Sequence, residues 1–390
     1  MRQGITSNAA ALFATRVAAG GFSLTSFVLA ARWLDGDHFG RLMVIVVSTA
    51  LANLATTFGT DDEVVRSVAR GSLTSAATAV RLQWTIASAA VAVSAVVAIL
   101  AGEDLGWWLL VGLLGLYPLA VTTTVTAVAR GLERATLLPA VAGLGGAGQL
   151  AGFVVADRVD AGYGGFVVAV VVAQVVAAVA GAGVVLRAQP VPLRGGPSMG
   201  ALAKRSWRFA AMVLASAVTV QAGVLLVAVL TNETAAGAHG LATRAFEMLR
   251  LIPGALVGAL FPVMARGGDM GRWNGRRLTL LGLALVVAGF GVAPALAWVS
   301  DVDGVAWPTR WLAVGLLGIV WRLAVSARLV ADDREDVVLR VALWVLPVAV
   351  GSLAVGAATA GAAGAASASS AIVAVHASAL WWVERSSPAA

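Results

Sequence analysis

Apolar positions in this chain fall in long unbroken runs separated by short polar connections. A membrane β-barrel would instead show alternating segments of about ten residues. A helix crossing about 30 Å of hydrocarbon needs roughly 20 mostly apolar residues, because each residue rises about 1.5 Å. Twelve such runs are present, near 8-31, 42-59, 82-101, 107-129, 137-156, 165-186, 209-231, 241-263, 278-298, 308-330, 341-360 and 366-383. They predict an all-α integral membrane protein with about 12 transmembrane helices. The second run, rich in Thr and Asn, and the last two, rich in Ala, Gly and Ser, carry the weakest apolar signal.

The longest polar connection, Arg187 to Arg208, holds three Pro and a basic cluster and follows the sixth run. It divides the chain into an N-terminal lobe over 1-186, a linker over 187-208 and a C-terminal lobe over 209-390. Six is even, so the halves enter the membrane in the same direction, as parallel repeats do. A short echo agrees with duplication: Asp37-His38-Phe39-Gly40 follows the first run and Ala238-His239-Gly240 the seventh, while Ala69-Arg70-Gly71 and Ala265-Arg266-Gly267 follow the second and eighth.

Composition then narrows the class. Hydrophobic residues make up 59% of the chain and charged ones 12%, against about 25% charged in an ordinary soluble domain. With no Cys and three scattered His, disulfides, thiolate chemistry and metal sites are not expected. The net charge of +7 would suggest nucleic acid in a soluble protein, but its distribution here is a topology signal. With the N-terminus inside, 18 cations fall in inner segments, among them Arg2, Arg66, Arg70, Arg130, Arg194, Lys204, Arg266 and Arg272, against three outside (Arg32, Arg41 and Arg158). The positive-inside rule therefore puts both termini in the cytoplasm. The first run has Arg16 in its middle and no small-residue cleavage site, so it reads as a retained helix. There is no Walker A motif, and no outer loop carries a carboxylate pair with a nearby His, so an enzyme is disfavoured and no cofactor is expected.

Charges inside the runs carry the functional signal. An Arg at mid-membrane costs about 2.5 to 3.5 kcal/mol even on the lenient insertion scale. Arg310 and Arg328 sit at run ends, where they can snorkel to headgroups. Arg16, about 12 Å along the first run, and Arg250, about 14 Å along the eighth, lie near the midplane by the helical rise. The eighth run reads Arg244-Ala-Phe-Glu247-Met-Leu-Arg250, which puts its two Arg and one Glu on one helix face. Glu247 can neutralise one of them and is expected to orient both without coupling an ion. Arg322 and Arg16 have no acidic residue within a helical turn. A buried ion-pair staple would explain the eighth run alone; cations in excess of anions call for an anionic ligand. Asn53, Gln149, Gln174, Gln221 and His376 are expected to form helix–helix hydrogen bonds, with Gln221, mid-run in the seventh, the best candidate for a role at the site. Trp residues near run ends form the interfacial belt.

The opening Ser7-Asn8 with Arg16, then Leu29-Ala30-Ala31-Arg32-Trp33-Leu34-Asp35-Gly36-Asp37-His38-Phe39-Gly40, then Phe58-Gly59-Thr60-Asp61-Asp62 through Arg66 to Ala69-Arg70, resembles the start of polysaccharide and O-antigen flippases of the multidrug/oligosaccharidyl-lipid/polysaccharide exporter superfamily. The resemblance implies two six-helix lobes around a central cavity that opens alternately inward and outward. The implied cargo is a glycan on a polyprenyl diphosphate, moved to the outer leaflet for surface polysaccharide synthesis in the bacterial cytoplasmic membrane. It also implies that Arg16, Arg244 and Arg250 engage the diphosphate, with glycosyltransferases or a polymerase of the same pathway as further partners. At 390 residues the chain is short for the family. The alternatives are a peptidoglycan-precursor flippase, whose basic-acidic signature at the end of the second run is missing; a multidrug antiporter, whose cationic substrates would favour carboxylates; and a non-transporting membrane subunit of a glycan synthase.

Overall fold

The computed structural model describes the backbone of residues 2–101, 104–132, 134, 136, 138–188, 192, 195–264, 275–332 and 334–386, and side chains over the same residues except 2–12, 97, 101, 186, 188 and 258–264. Arg194, Arg266 and Arg272 lie outside the described residues, as do the side chains of Arg2, Ser7 and Asn8.

Among the described residues the regular elements are helical: α1 (Arg2–Trp33), α2 (Gly36–Thr57), α3 (Thr60–Ala69), α4 (Thr74–Ala101), α5 (Asp104–Leu114), α6 (Leu116–Gly131), α7 (Leu138–Arg158), α8 (Gly162–Ala188), α9 (Met199–Leu230), α10 (Glu233–Met264), α11 (Gly275–Ser300), α12 (Ala306–Ala331) and α13 (Glu335–Ser386). Among the described residues ten helical runs are long and apolar enough to cross a membrane. One of them, α13, is 52 residues long and takes in the last two expected spans. Its helical geometry is interrupted at Ala360 and Gly361, where Gly361 has φ +56°, a left-handed value that glycine tolerates without a Cβ penalty. The charged α10 occupies the eighth expected run, and α5 with α6 the fourth, broken at Gly115.

Two elements depart from the sequence reading. The ten-residue α3 was not expected; it follows Gly59, whose φ is +64°. It is amphipathic: Thr60, Val64 and Val68 are buried, while Asp61, Asp62 and Glu63 fill its first turn, where they complement the helix dipole. The connection expected over 187-208 is shortened from both sides, because α8 continues to Ala188 and α9 begins at Met199. Ser198 Oγ accepts from the Ala201 amide at 3.2 Å as an N-terminal cap, and Leu202 is fully buried in the core, so folding this stretch as helix removes apolar surface from water. Ahead of α2, Asp35 accepts from the His38 amide at 2.9 Å and faces its imidazole at 2.7 Å. The amide hydrogen bond holds the Asp35 carboxyl below the usual carboxylate range.

The helices form two compact units, one of Met1–Leu34 and Ile45–Leu214, the other of Asp35–Val44 and Ala215–Ala390. In the first, α7 packs on α8 and α1, and α6 packs on α8 and α3. Its core joins Val64, Val68, Ala79, Val128, Leu138, Val185 and Leu202. An aromatic cluster ties α1 to α7 and α8, with Phe27 edge-on to Phe153 at 5.8 Å and Phe153 edge-on to Phe166 at 4.9 Å between centroids. In the second unit α12 is central, packed against α10, α11 and α13. Val345, Ala349 and Leu353 of the first arm of α13 meet Ile372 of the second, with Ala222 and Leu226 of α9 against them.

Candidate functional site

The charges expected on the eighth run converge inside the second unit. Arg244 and Glu247 are three residues apart on α10, and Arg244 Nη1 donates to Glu247 Oε2 at 2.9 Å. The other carboxylate oxygen accepts a long 3.4 Å hydrogen bond from Gln221 Nε2 of α9. These side chains are 17% and 25% exposed, so the pair is partly desolvated and worth more than a surface pair. Glu247, expected to neutralise one Arg and orient both, pairs with Arg244 and meets Gln221, and among the described residues it forms no ion pair with Arg250. The cause is geometric. Helical side chains lean toward the N-terminus, so the carboxylate of Glu247 reaches back to residue 244 more readily than forward to 250.

Among the described residues Arg250 forms no ion pair. It lies within electrostatic reach of Arg322 on the packed helix α12, so two like charges oppose each other across α10 and α12. The Arg322 guanidinium is held by one long hydrogen bond, 3.4 Å from Nη1 to Ser216 Oγ of α9, and its buried Nε has no hydrogen-bond partner among the described residues. His376, on the second arm of α13, is 4% exposed and lies within reach of the Arg322 charge. Three guanidiniums and one carboxylate therefore share this part of the second unit. The carboxylate is taken by Arg244. Arg250 and Arg322 remain, within electrostatic reach of each other and with no ion pair among the described residues, and a guanidinium can donate a fork of N–H groups to phosphate oxygens.

The remaining sequence candidates divide plainly. Arg16 is on α1 in the first unit and exposed. Arg310 stacks on Trp307, 4.9 Å from the ring centroid. Arg328, read as a snorkelling residue, instead meets Glu384 at 3.4 Å, because the second arm of α13 runs beside α12 and brings its end opposite. Sequence reasoning missed Ser216, which has no charge to betray it, and read His376 as a helix–helix hydrogen bond that does not form among the described residues. It also missed the ion pair from Arg41 to Glu233, at 2.7 Å, beside which Thr234 donates to Asp37 at 2.6 Å.

No protein-family model matches the sequence, and comparison with curated proteins finds no match. The solved structures do. A multidrug resistance MATE family transporter of the MOP superfamily in its inward-facing conformation is 14% identical, with a TM-score of 0.77 over 96% of this chain and 98% of its own. The fold is that of the MOP-superfamily transporters. A eukaryotic MATE transporter is 13% identical, with a TM-score of 0.69 over 98% of this chain and 95% of its own. A MOP-superfamily transporter from Pyrococcus furiosus, in which reversed polarity of the binding pocket suggests a different function, is 14% identical, with a TM-score of 0.65 over 97% of this chain and 96% of its own. The MOP fold comprises twelve transmembrane helices in two lobes, which accounts for the twelve apolar runs of this sequence. These similar structures are of transporters, one in an inward-facing and another in an outward-facing conformation.

Proposed function

We propose that this protein is a flippase that moves a polyprenyl-diphosphate-linked oligosaccharide from the inner to the outer leaflet of the bacterial cytoplasmic membrane by alternating access. The observation that carries the reading is that Arg250 of α10 lies within electrostatic reach of the buried Arg322 of α12, whose Nε has no hydrogen-bond partner, and that neither forms an ion pair among the described residues. Keeping such a pair costs folding energy, and a site that binds an anion recovers it only when the anion is present. Arg244, oriented by Glu247 and Gln221, supplies a third donor, and Arg16 of the first unit is proposed as a fourth. In this reading the chain works as an N-terminal lobe over 1-186 and a C-terminal lobe over 209-390 with both termini cytoplasmic, serving glycosyltransferases or a polymerase of the same pathway.

Multidrug antiport is the second reading, favoured by the multidrug transporters among the structural neighbours. A cationic drug needs an available carboxylate, and Glu247 is already engaged by Arg244. In liposomes, the wild type should move a labelled polyprenyl-diphosphate sugar. Arg250→Ala and Arg322→Ala should each lower the rate by at least tenfold at equal incorporation, since losing one phosphate partner in a partly desolvated site costs about 2 to 5 kcal/mol. Arg310→Ala should be mild. Wild-type transport of an organic cation with none of the labelled lipid would overturn the proposal in favour of antiport.

A further inference from the structure

The opening turns of α9, from Met199 to Leu214, belong to the first unit and present two unlike faces. Leu202, Ser206 and Ala210, spaced four residues apart, are buried and form the inward stripe. At 3.6 residues per turn, Lys204, Trp207 and Arg208 fall on the opposite side of the helix, and all three are exposed. Trp207 is 47% exposed, and the Arg208 guanidinium lies over its ring, 5.9 Å from the centroid.

The acids nearby are engaged elsewhere. Glu63 of α3 meets Arg205, at the border between the two faces, at 3.8 Å. Asp62 meets Arg130 of α6 at 4.0 Å. Lys204 and Arg208 form no ion pair among the described residues, so their face carries two uncompensated positive charges. Position along the helix sets its depth. The seventh apolar run starts at 209, which puts Trp207 at the edge of the hydrocarbon, where an indole sits among headgroups. Lys204 and Arg208, about 6 Å apart along the axis by the helical rise, bracket that level.

We propose that Lys204, Trp207 and Arg208 form a docking surface for the headgroup of an anionic phospholipid. The indole covers the glycerol end of the lipid while the two cations meet its phosphate. A zwitterionic headgroup carries its own ammonium, which offsets the attraction. A soluble acidic partner would have to clear lipid from Trp207 before it reached Arg208. Placing the surface in the inner leaflet rests on the proposed topology; its preference for anionic headgroups rests neither on that nor on the flippase reading.

The chain has no native Cys, so a fluorophore on Ala211→Cys, one turn deeper on the same face, reports on lipid docked there. In phosphatidylcholine nanodiscs at low salt, phosphatidylglycerol with a nitroxide on its acyl chain should quench this label at a lower mole fraction than nitroxide phosphatidylcholine. The preference should be about fivefold for each cation and about 25-fold for both. Lys204→Gln with Arg208→Gln should remove it. Molar salt, which shortens the screening length to about 3 Å, should remove it without these substitutions, so the test does not depend on how the double variant folds. A label at Val229→Cys, 81% exposed at the other end of α9, where the last turn has no basic residue, should show no preference. Equal quenching by the two lipids at Ala211→Cys, a preference that survives both Gln substitutions, or the same preference at Val229→Cys would overturn the proposal. So would inorganic phosphate that abolishes the preference at an ionic strength where chloride leaves it intact, because the surface would then be a site for free phosphate.

Discussion

The close approach of α2 to α10 in the second unit can be tested by one methyl group. A Cβ on Gly40 would lie 3.0 Å from the Glu233 Cα and closer still to its carbonyl carbon and oxygen. These are backbone atoms of α10 and cannot rotate aside, so Gly40→Ala must push the helices apart. Overpacking of this kind costs about 1 to 3 kcal/mol, and the upper half applies because nothing flexible absorbs the overlap. Replacing a helical Gly by Ala returns up to about 1 kcal/mol in propensity, leaving a net loss near 2 kcal/mol. At about 2 to 4 °C per kcal/mol for a unit of this size, the melting temperature in detergent, read by size-exclusion after heating, should fall by several degrees. Gly240→Ala should cost less, because its nearest neighbours, at 2.6 Å and beyond, belong to the flexible Met43 side chain. Gly21→Ala should cost nothing, since no heavy atom lies within 4 Å of its added Cβ. Because α10 carries Arg244, Glu247 and Arg250, Gly40→Ala should also reduce transport. Equal melting temperatures for Gly40→Ala and Gly21→Ala would refute the backbone contact.

Two further outcomes are expected. A Cys at Ser198 should react with an impermeant maleimide added to inverted vesicles and not with the same reagent added outside intact cells, because the cation bias of the sequence predicts a cytoplasmic connection here; labelling from outside would reverse the proposed topology. Glu247→Gln, which releases Arg244 and weakens the contact to Gln221, should impair transport equally under an electrical or a pH gradient, and loss of pH-driven transport alone would make Glu247 the coupling carboxylate.

The helices were legible because hydrocarbon imposes a length and forbids unpaired backbone, so composition alone marks the spans. What composition hides is the local end of an element. Nothing apolar announces α3, whose burial rests on Val64 and Val68, and the start of α9 at Met199 depends on a Ser198 cap and one buried Leu202. The site was half legible for a similar reason. Charge in an apolar run is conspicuous, so Arg244, Glu247, Arg250 and Arg322 were found from sequence. Spacing on one helix could not say which Arg the carboxylate would choose, nor that Arg322 of α12 would face Arg250 of α10, because both follow from side-chain direction and from packing between helices. For Gln149 and Gln174 the sequence could not say which amide atom would find a partner: Gln149 Nε2 and Gln174 Oε1 have none among the described residues.

The charge count of the second unit bears on how a potential would drive the proposed flippase. Arg244, Arg250 and Arg322 against Glu247 leave two positive charges, and a diphosphate diester brings about two negative ones, so these second-unit residues and the cargo together are near neutral, with Arg16 of the first unit outside this count. Moving a charge through the whole field is worth about 2.3 kcal/mol per 100 mV. A neutral loaded site gains little from it, whereas the unloaded site carries its two charges back toward a negative cytoplasm. The potential then acts on the return step and not on the step that carries cargo. In liposomes with an imposed potassium diffusion potential, negative on the side of the protein's cytoplasmic face, net outward flux of labelled lipid-linked sugar should rise with potential. One-for-one exchange of labelled against unlabelled cargo, which uses only the loaded step, should stay flat. Exchange that accelerates as steeply as net flux would mean that the cargo's charge crosses uncompensated and that these guanidiniums do not hold it in transit.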